Sequence, residues 1–130
     1  VSYRGATGEV PAFLTLPGSG KTTAKRAPVV LLVHGLGGSK ADMLLLAVSL
    51  ARRGYATFAP DLPDHGDRKQ GGNSDALSRQ TLLETRRSVA VGATDLRRAV
   101  DFLETRADLD SKRVGLLGVS LGGIYGAVVA

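Results

Sequence analysis

The pentapeptide Gly118-Val119-Ser120-Leu121-Gly122 is the part of this 130-residue sequence whose residue types and spacing most directly suggest chemistry. A serine hydroxyl can act as a nucleophile when a sharp strand-to-helix turn presents it to a substrate carbonyl. Such a turn strains the backbone of the serine, and glycines two positions before and after it let the strand and the helix approach each other. The pattern therefore predicts Ser120 as a nucleophile, with Gly118 and Gly122 required for packing.

A nucleophilic serine also needs hydrogen-bond donors for the oxyanion that forms during its attack. The N-terminus of the helix after the turn aims the backbone amide of Leu121 at that position. A second donor is expected from the loop after an earlier strand, and the glycine-rich residues 34–38 lie in such a loop. The loop at 34–38 lies where the Ser120 turn requires a second donor. The two segments together therefore predict a nucleophile site more strongly than either does alone.

The elements that would position these residues follow from the apolar pattern. Strands are predicted at 10–16, 29–33, 55–59 and 113–119, with the remnant of an earlier strand at 1–4. Helices are predicted at 41–53, at 81–105 and from 121 onward, with Ser39 as the first N-cap, Gly54 as the first stop and Gly92 as a point of bending. The segments 29–33 and 113–119 have the composition of strands buried on both faces. This alternation predicts an α/β fold class: a parallel sheet sandwiched between helices on both faces.

Three other segments approach known binding motifs without completing them. Residues 17–23 (PGSGKTT) are similar to the end of a phosphate-binding loop, but Thr15 stands where the first glycine is needed and a strand follows instead of a helix. Residues 35–40 approach the dinucleotide fingerprint, with Lys40 in place of the third glycine. Residues 61–67 contain three aspartates and a histidine, but their spacing matches no metal ligand set and an aspartate-rich turn is the simpler interpretation. We therefore expect none of these three segments to be a binding site for nucleotide or metal.

With these motifs in place, the chain resembles the α/β-hydrolase fold family over nearly its whole length. The stretch HGLGG at 34–38 is similar to the oxyanion loop of that family, and APDLPDHGDR at 59–68 to the segment after the following strand. The stretch LDSKRVGLLGVSLGG at 109–123 is similar to the approach to the nucleophile. Among the branches of the family, the dienelactone hydrolases and the bacterial esterases are the most similar.

The resemblance implies that Ser120 attacks a small carboxylic ester or lactone and forms an acyl-enzyme. Water then releases the acyl group from Ser120, without metal or cofactor. Leu36 matches the position of the second oxyanion donor. Gly35 supports the same loop, and His34 is expected to brace it. A non-catalytic binding module, an acyltransferase and a peptidase of the same fold remain open as alternatives.

One departure from the family concerns the rest of the catalytic triad. In the family the acid and the histidine follow the serine, whereas residues 121–130 contain neither. The two histidines of the sequence, His34 and His65, do not match the catalytic position, and neither Asp61 nor Asp95 is assigned as the acid. We therefore interpret the chain as the N-terminal part of a single α/β-hydrolase domain, ending after the helix that follows the nucleophile.

This interpretation carries two expectations for a polypeptide of residues 1–130. It should be nearly inactive, because a nucleophile without its base retains only the rate due to the oxyanion donors and to binding. It should also self-associate, because the strand at 114–119 would be an unpaired apolar edge.

Composition and charge argue against other partners. The sequence is 43% hydrophobic and 22% charged, which is typical of a soluble globular protein, and no apolar run approaches the ~18 residues of a membrane span. The net charge of +5 is spread over scattered arginine pairs, without the long basic block or interleaved aromatics of a nucleic-acid-binding segment. No secretory leader is recognisable at the start, so we expect a cytoplasmic protein whose partner is a small-molecule ester.

Overall fold

The computed structural model describes residues 1–18, 26–69 and 82–129, which form an α/β fold around one five-stranded sheet. Most of the PGSGKTT segment, and residues 70–81, lie outside these described residues. The strands are β1 (Ser2–Arg4), β2 (Glu9–Thr15), β3 (Ala27–Val33), β4 (Ala56–Pro60) and β5 (Leu109–Gly118). The α-helices are α1 (Leu44–Ala51), α2 (Leu82–Glu104) and α3 (Leu121–Val129), and 3-10 turns span Lys40–Met43 and Gly66–Arg68.

The sheet is mixed, with strand order β1-β2-β4-β3-β5. The strands β4, β3 and β5 are parallel, as the sequence predicts, whereas β1 and β2 are antiparallel to their neighbours. The short turn between β1 and β2, closed by a 2.7 Å hydrogen bond from Gly5 N to Gly8 O, cannot accommodate the crossover that parallel pairing requires. Because the three parallel strands share a direction, the loops that follow them meet at one edge of the sheet.

Helices cover both faces of the sheet, which confirms the predicted layered arrangement. One core lies between the sheet and helices α2 and α3, where the rings of Tyr3, Phe58 and Phe102 pack with centroids 5.4 to 6.1 Å apart. A second, smaller core lies under α1, and it is made of Leu32, Met43, Ala47 and Ala59. Along the described ranges, no helix is both long and apolar enough to cross a bilayer.

The predicted ends of the first helix are present. Ser39 caps the 3-10 turn that leads into α1: its hydroxyl accepts a hydrogen bond from Ala41 N at 3.3 Å, and its backbone amide donates one to the Asp42 carboxylate at 2.8 Å. Gly54 follows the helix with a φ of +90°, a backbone conformation that favours glycine. Ser39 and Gly54 were therefore sufficient to predict where this helical segment begins and ends.

Gly92 has a packing role that the sequence pattern did not indicate. Helix α2 continues unbroken from Leu82 to Glu104, through the position where a bend was predicted. A side chain at Gly92 would collide with the ring of Tyr125 in α3. The glycine thus lets α2 and α3 approach each other closely.

The prediction that the strand at 113–119 is buried on both faces is wrong. Leu116 and Leu117 are 39% and 38% exposed, and Val119 is 45% exposed. The cause is the place of β5 at the edge of the described sheet, where it pairs with β3 alone. Its apolar run resembles that of β3, but composition does not reveal whether a strand has neighbours on both sides.

We expect a polypeptide of residues 1–130 to associate through β5, since this edge combines unpaired backbone groups with exposed leucines. Analytical ultracentrifugation should detect dimers or larger species, and Leu117→Lys should shift them towards monomer. Leu45→Lys is the matched control, because Leu45 is 89% exposed on α1, away from this edge. A wild-type polypeptide that stays monomeric at high concentration would contradict the prediction.

Candidate active site

Ser120 lies in a sharp turn between the end of β5 and the start of α3, and its side chain is exposed. Its φ of +50° is in the left-handed region, which costs a non-glycine residue about 1–2 kcal/mol. Hydrogen bonds on both sides maintain the turn: Val119 N donates to Val33 O at 2.9 Å, and Gly123 N donates to Ser120 O at 2.8 Å. The strained turn predicted from the sequence is therefore present, while the role of Ser120 as a nucleophile stays a prediction.

The two glycines around Ser120 are packing positions, as predicted. A side chain at Gly118 would collide with the backbone of Gly122. A side chain at Gly122 would collide with the carbonyl oxygens of Val33 and His34 at the end of β3. Glycine at both positions brings the first turn of α3 against the sheet.

The loop at residues 34–38 lies against the Ser120 turn. A Cβ placed on Gly35 would be 3.6 Å from the Cβ of Ser120 and 3.3 Å from the carbonyl oxygen of Val119. The loop turns back on itself through a 3.2 Å hydrogen bond from Gly38 N to Gly35 O, with Gly37 at a φ of +73°. The two segments that the sequence paired are thus adjacent in space.

Leu36 lies in the loop that contacts the Ser120 turn, and Leu121 directly follows Ser120. Leu121 is the first residue of α3, where an amide has no partner within the helix. Within the described part of the chain, neither amide donates a hydrogen bond to a side chain or to a backbone carbonyl. Each of these residues thus has a backbone amide available as a hydrogen-bond donor, in a segment next to the exposed Ser120.

His34 is fully buried and braces the loop that it begins. Its Nδ1 lies 2.8 Å from Gly35 O, and its Nε2 accepts a hydrogen bond from Leu62 N at 3.1 Å. A ring that accepts at Nε2 must donate its proton from Nδ1, so the imidazole is neutral. Burial lowers the pKa of His34, although the Gly35 carbonyl acts in the opposite direction.

We expect the free energy of unfolding to fall as the pH drops below about 6.5, because unfolded His34 binds a proton that the buried ring excludes. The folded pKa is lowered, so the stabilisation is complete above the unfolded pKa and is lost as the pH falls. The free energy of unfolding should change by no more than about 1.4 kcal/mol per pH unit. Urea unfolding at about pH 7.5 and about pH 5.5 measures it.

His34→Gln should flatten this pH dependence, whereas the matched variant His65→Gln should retain it. His65 is also buried, and its Nδ1 lies 2.7 Å from Pro63 O. Among the described residues, however, its Nε2 has no hydrogen-bond partner. An equally steep dependence in His34→Gln would show that another group is responsible.

Asp61 forms a buried ion pair that the interpretation of residues 61–67 as a simple turn did not include. Its carboxylate accepts hydrogen bonds from Lys40 N at 2.7 Å, Lys40 Nζ at 2.6 Å and Asp67 N at 3.0 Å. Burial alone would raise the pKa of Asp61, but these hydrogen bonds outweigh it and lower the pKa. Sequence reasoning missed this pair because Lys40 and Asp61 lie far apart along the chain, in segments that only the sheet brings together.

The remaining candidate acids and bases are held elsewhere. Asp95 accepts a hydrogen bond from Ala6 N at 2.6 Å, and Arg68 Nη1 lies 2.8 Å from its other oxygen, in an ion pair outside hydrogen-bond geometry. Within the described ranges no histidine or carboxylate is hydrogen-bonded to Ser120, and no group of three or more such side chains could hold a metal. Asp61 is likewise paired with Lys40.

Known proteins are similar to this chain over most of its length. The alpha/beta hydrolase family matches residues 30–130. YtaP of Bacillus subtilis, named as a candidate hydrolase, is 26% identical over 129 residues, covering 89% of this chain and 42% of YtaP. A Bradyrhizobium protein named as a probable 2-oxo-3-(5-oxofuran-2-ylidene)propanoate lactonase is 29% identical over 105 residues, covering 81% of this chain and 41% of that protein.

A solved structure shows the same fold. Est1E from Butyrivibrio proteoclasticus, determined with ferulic acid bound, matches with a TM-score of 0.75 at 18% identity. The match covers 100% of this chain and 46% of the Est1E chain. This chain thus spans less than half the length of each of these three proteins.

Proposed function

Because the chain belongs to the alpha/beta hydrolase family, we propose that it carries the nucleophile and the oxyanion donors of a serine esterase or lactonase. The observation that carries this proposal is the meeting of the strained, exposed Ser120 with the loop at 34–38. The name of the Bradyrhizobium relative supports an ester or lactone as the substrate class.

The proposed reaction proceeds in two steps. The Oγ of Ser120 attacks the substrate carbonyl carbon and passes its proton to a base, while the amides of Leu36 and Leu121 donate to the developing oxyanion. Collapse of this intermediate breaks the bond to the leaving oxygen, which takes the proton from the base and departs as an alcohol, and leaves an acyl group on Ser120. Water then attacks the acyl carbon, the acid is released, and the hydroxyl regains its proton.

The base is proposed to be a histidine outside residues 1–130. His34 has both ring nitrogens in hydrogen bonds, and His65 is oriented by the carbonyl of Pro63. A histidine and an acid that follow the serine would complete the family's triad. We therefore propose that residues 1–130 alone are nearly inactive, with only the rate that binding and oxyanion stabilisation provide.

A fluorophosphonate probe tests the proposal in the natural protein that carries this sequence. The probe reacts with an activated serine, so we expect a covalent adduct that mass spectrometry maps to Ser120, together with turnover of p-nitrophenyl acetate. Absence of both would contradict the proposal and favour a non-catalytic binding module. Turnover accompanied by acyl transfer to an added alcohol or amine would instead indicate an acyltransferase.

A further inference from the structure

We infer that Lys40 and Asp61 form a positioning pair, which fixes the loop that presents the Leu36 amide and thereby sets the acylation rate at Ser120. The inference rests on the proposed function and deepens it. Neither side chain is placed at the reacting atoms, so the pair is assigned no catalytic role of its own.

The pair completes a clamp on the loop at 34–38. At the start of the loop, His34 accepts a hydrogen bond from Leu62 N at 3.1 Å. Just beyond its end, Lys40 donates to the Asp61 carboxylate from both its backbone amide, at 2.7 Å, and its Nζ, at 2.6 Å. Two consecutive residues after β4, Asp61 and Leu62, thus hold both ends of the loop.

The surroundings of Asp61 are built around its carboxylate. Its side chain is 0% exposed and that of Lys40 is 9% exposed. Asp67 closes the far side, because its backbone amide donates to Asp61 Oδ2 at 3.0 Å and its own carboxylate lies 2.6 Å from Lys40 Nζ. A side chain at Gly66, whose φ is +53°, would collide with the Asp61 carboxylate. The whole segment therefore leaves room for one buried charge pair.

The clamp matters because the loop between its ends has little rigidity of its own. Gly35, Gly37 and Gly38 have no side chains to anchor it, and glycine loses more conformational freedom on ordering than any other residue. Between the anchors, the loop is closed by one backbone hydrogen bond, from Gly38 N to Gly35 O. Release of the Lys40 end would let the Leu36 amide move away from the position of the oxyanion, where donor geometry determines the rate.

Lys40→Met in the natural protein tests the inference. We expect kcat for p-nitrophenyl acetate to fall by about ten- to a hundredfold, with KM changed by less than about threefold, because the amide stabilises the transition state more than the bound ester. The rate of fluorophosphonate labelling should fall in parallel. Hydrogen exchange over residues 35–38, followed by mass spectrometry, should become faster.

Leu103→Ala is the control for a general loss of stability. Leu103 is fully buried in the core under α2 and is far from the loop, so the variant should unfold more easily while kcat and the exchange of residues 35–38 stay at wild-type values. Unchanged exchange and unchanged kcat in Lys40→Met would overturn the inference.

A double variant removes the ambiguity if Lys40→Met folds poorly. Lys40→Met combined with Asp61→Leu leaves no unpaired buried charge, so stability should recover. Asp61→Leu also removes the acceptor of the Lys40 backbone amide, which Lys40→Met alone retains, so both contacts to the loop are lost and kcat should stay low. A double variant with wild-type kcat would overturn the inference, since each of the two side chains would then serve only to compensate the buried charge of the other.

The test separates this inference from the proposed function. A wild-type protein that neither turns over esters nor reacts with the probe would contradict the proposed function, and with it the effect of the clamp on acylation. A wild-type protein that labels normally, combined with a Lys40→Met variant that labels equally fast, would contradict the clamp alone.

Discussion

Ser120→Ala is expected to lower kcat for ester hydrolysis in the natural protein by about 10⁴- to 10⁶-fold and to abolish fluorophosphonate labelling. The proposed acyl-enzyme forms on the Oγ of this residue, and no other hydroxyl lies in a strained strand-to-helix turn among the described residues. The oxyanion donors would remain, so a small rate above that of water is expected to persist. Initial rates with p-nitrophenyl acetate measure the loss. Substantial turnover by the alanine variant would exclude Ser120 as the nucleophile.

Ser120→Gly separates the chemistry at this position from its backbone strain. Both variants lack the hydroxyl, so both should be inactive. Glycine adopts the observed φ of +50° without a steric penalty, whereas alanine at this φ still carries the penalty. We therefore expect the glycine variant to be more stable than the alanine variant by about 1 kcal/mol in urea unfolding. Equal stabilities would argue against strain in the Ser120 turn.

Gly122→Ala is expected to reduce the free energy of unfolding by about 3 kcal/mol or more. The added methyl group would overlap the carbonyl oxygens of Val33 and His34, which belong to the backbone and cannot rotate away. Relief would require α3 to move from the sheet, and Ser120 at its start would move with it. Urea unfolding measures the loss of stability, and labelling of Ser120 should slow in the fraction that remains folded.

Gly123→Ala is the matched control, one residue further along the same helix. A Cβ there would lie 3.6 Å from Gly118 O, which is an ordinary contact. Because alanine is a better helix former than glycine, the change should be neutral or should stabilise the protein by about 0.5–1 kcal/mol. A loss of stability as large as that of Gly122→Ala would show that the helix tolerates no methyl group at all, which would contradict the specific collision at Gly122.

The sequence was a reliable guide wherever a structural signal is local. Ser39 and Gly54 marked the ends of the first helix because capping and left-handed stops involve residues only a few positions apart. The turn at Ser120 was predictable for the same reason, since glycines at 118 and 122 are needed within one strand-to-helix junction. The order of strands and helices was enough to predict the α/β class and the parallel core of the sheet.

The sequence by itself thus determined the elements, the Ser120 turn and the loop at 34–38, because each is encoded within a short segment. Only the tertiary structure decided that β1 and β2 run antiparallel and that Lys40 meets Asp61. Strand neighbours and buried charge pairs depend on how distant segments are brought together, which no local pattern of residue types records. The base proposed for Ser120 is a partner of the same kind, because the group that activates a nucleophile is selected by the fold and not by its neighbours in sequence.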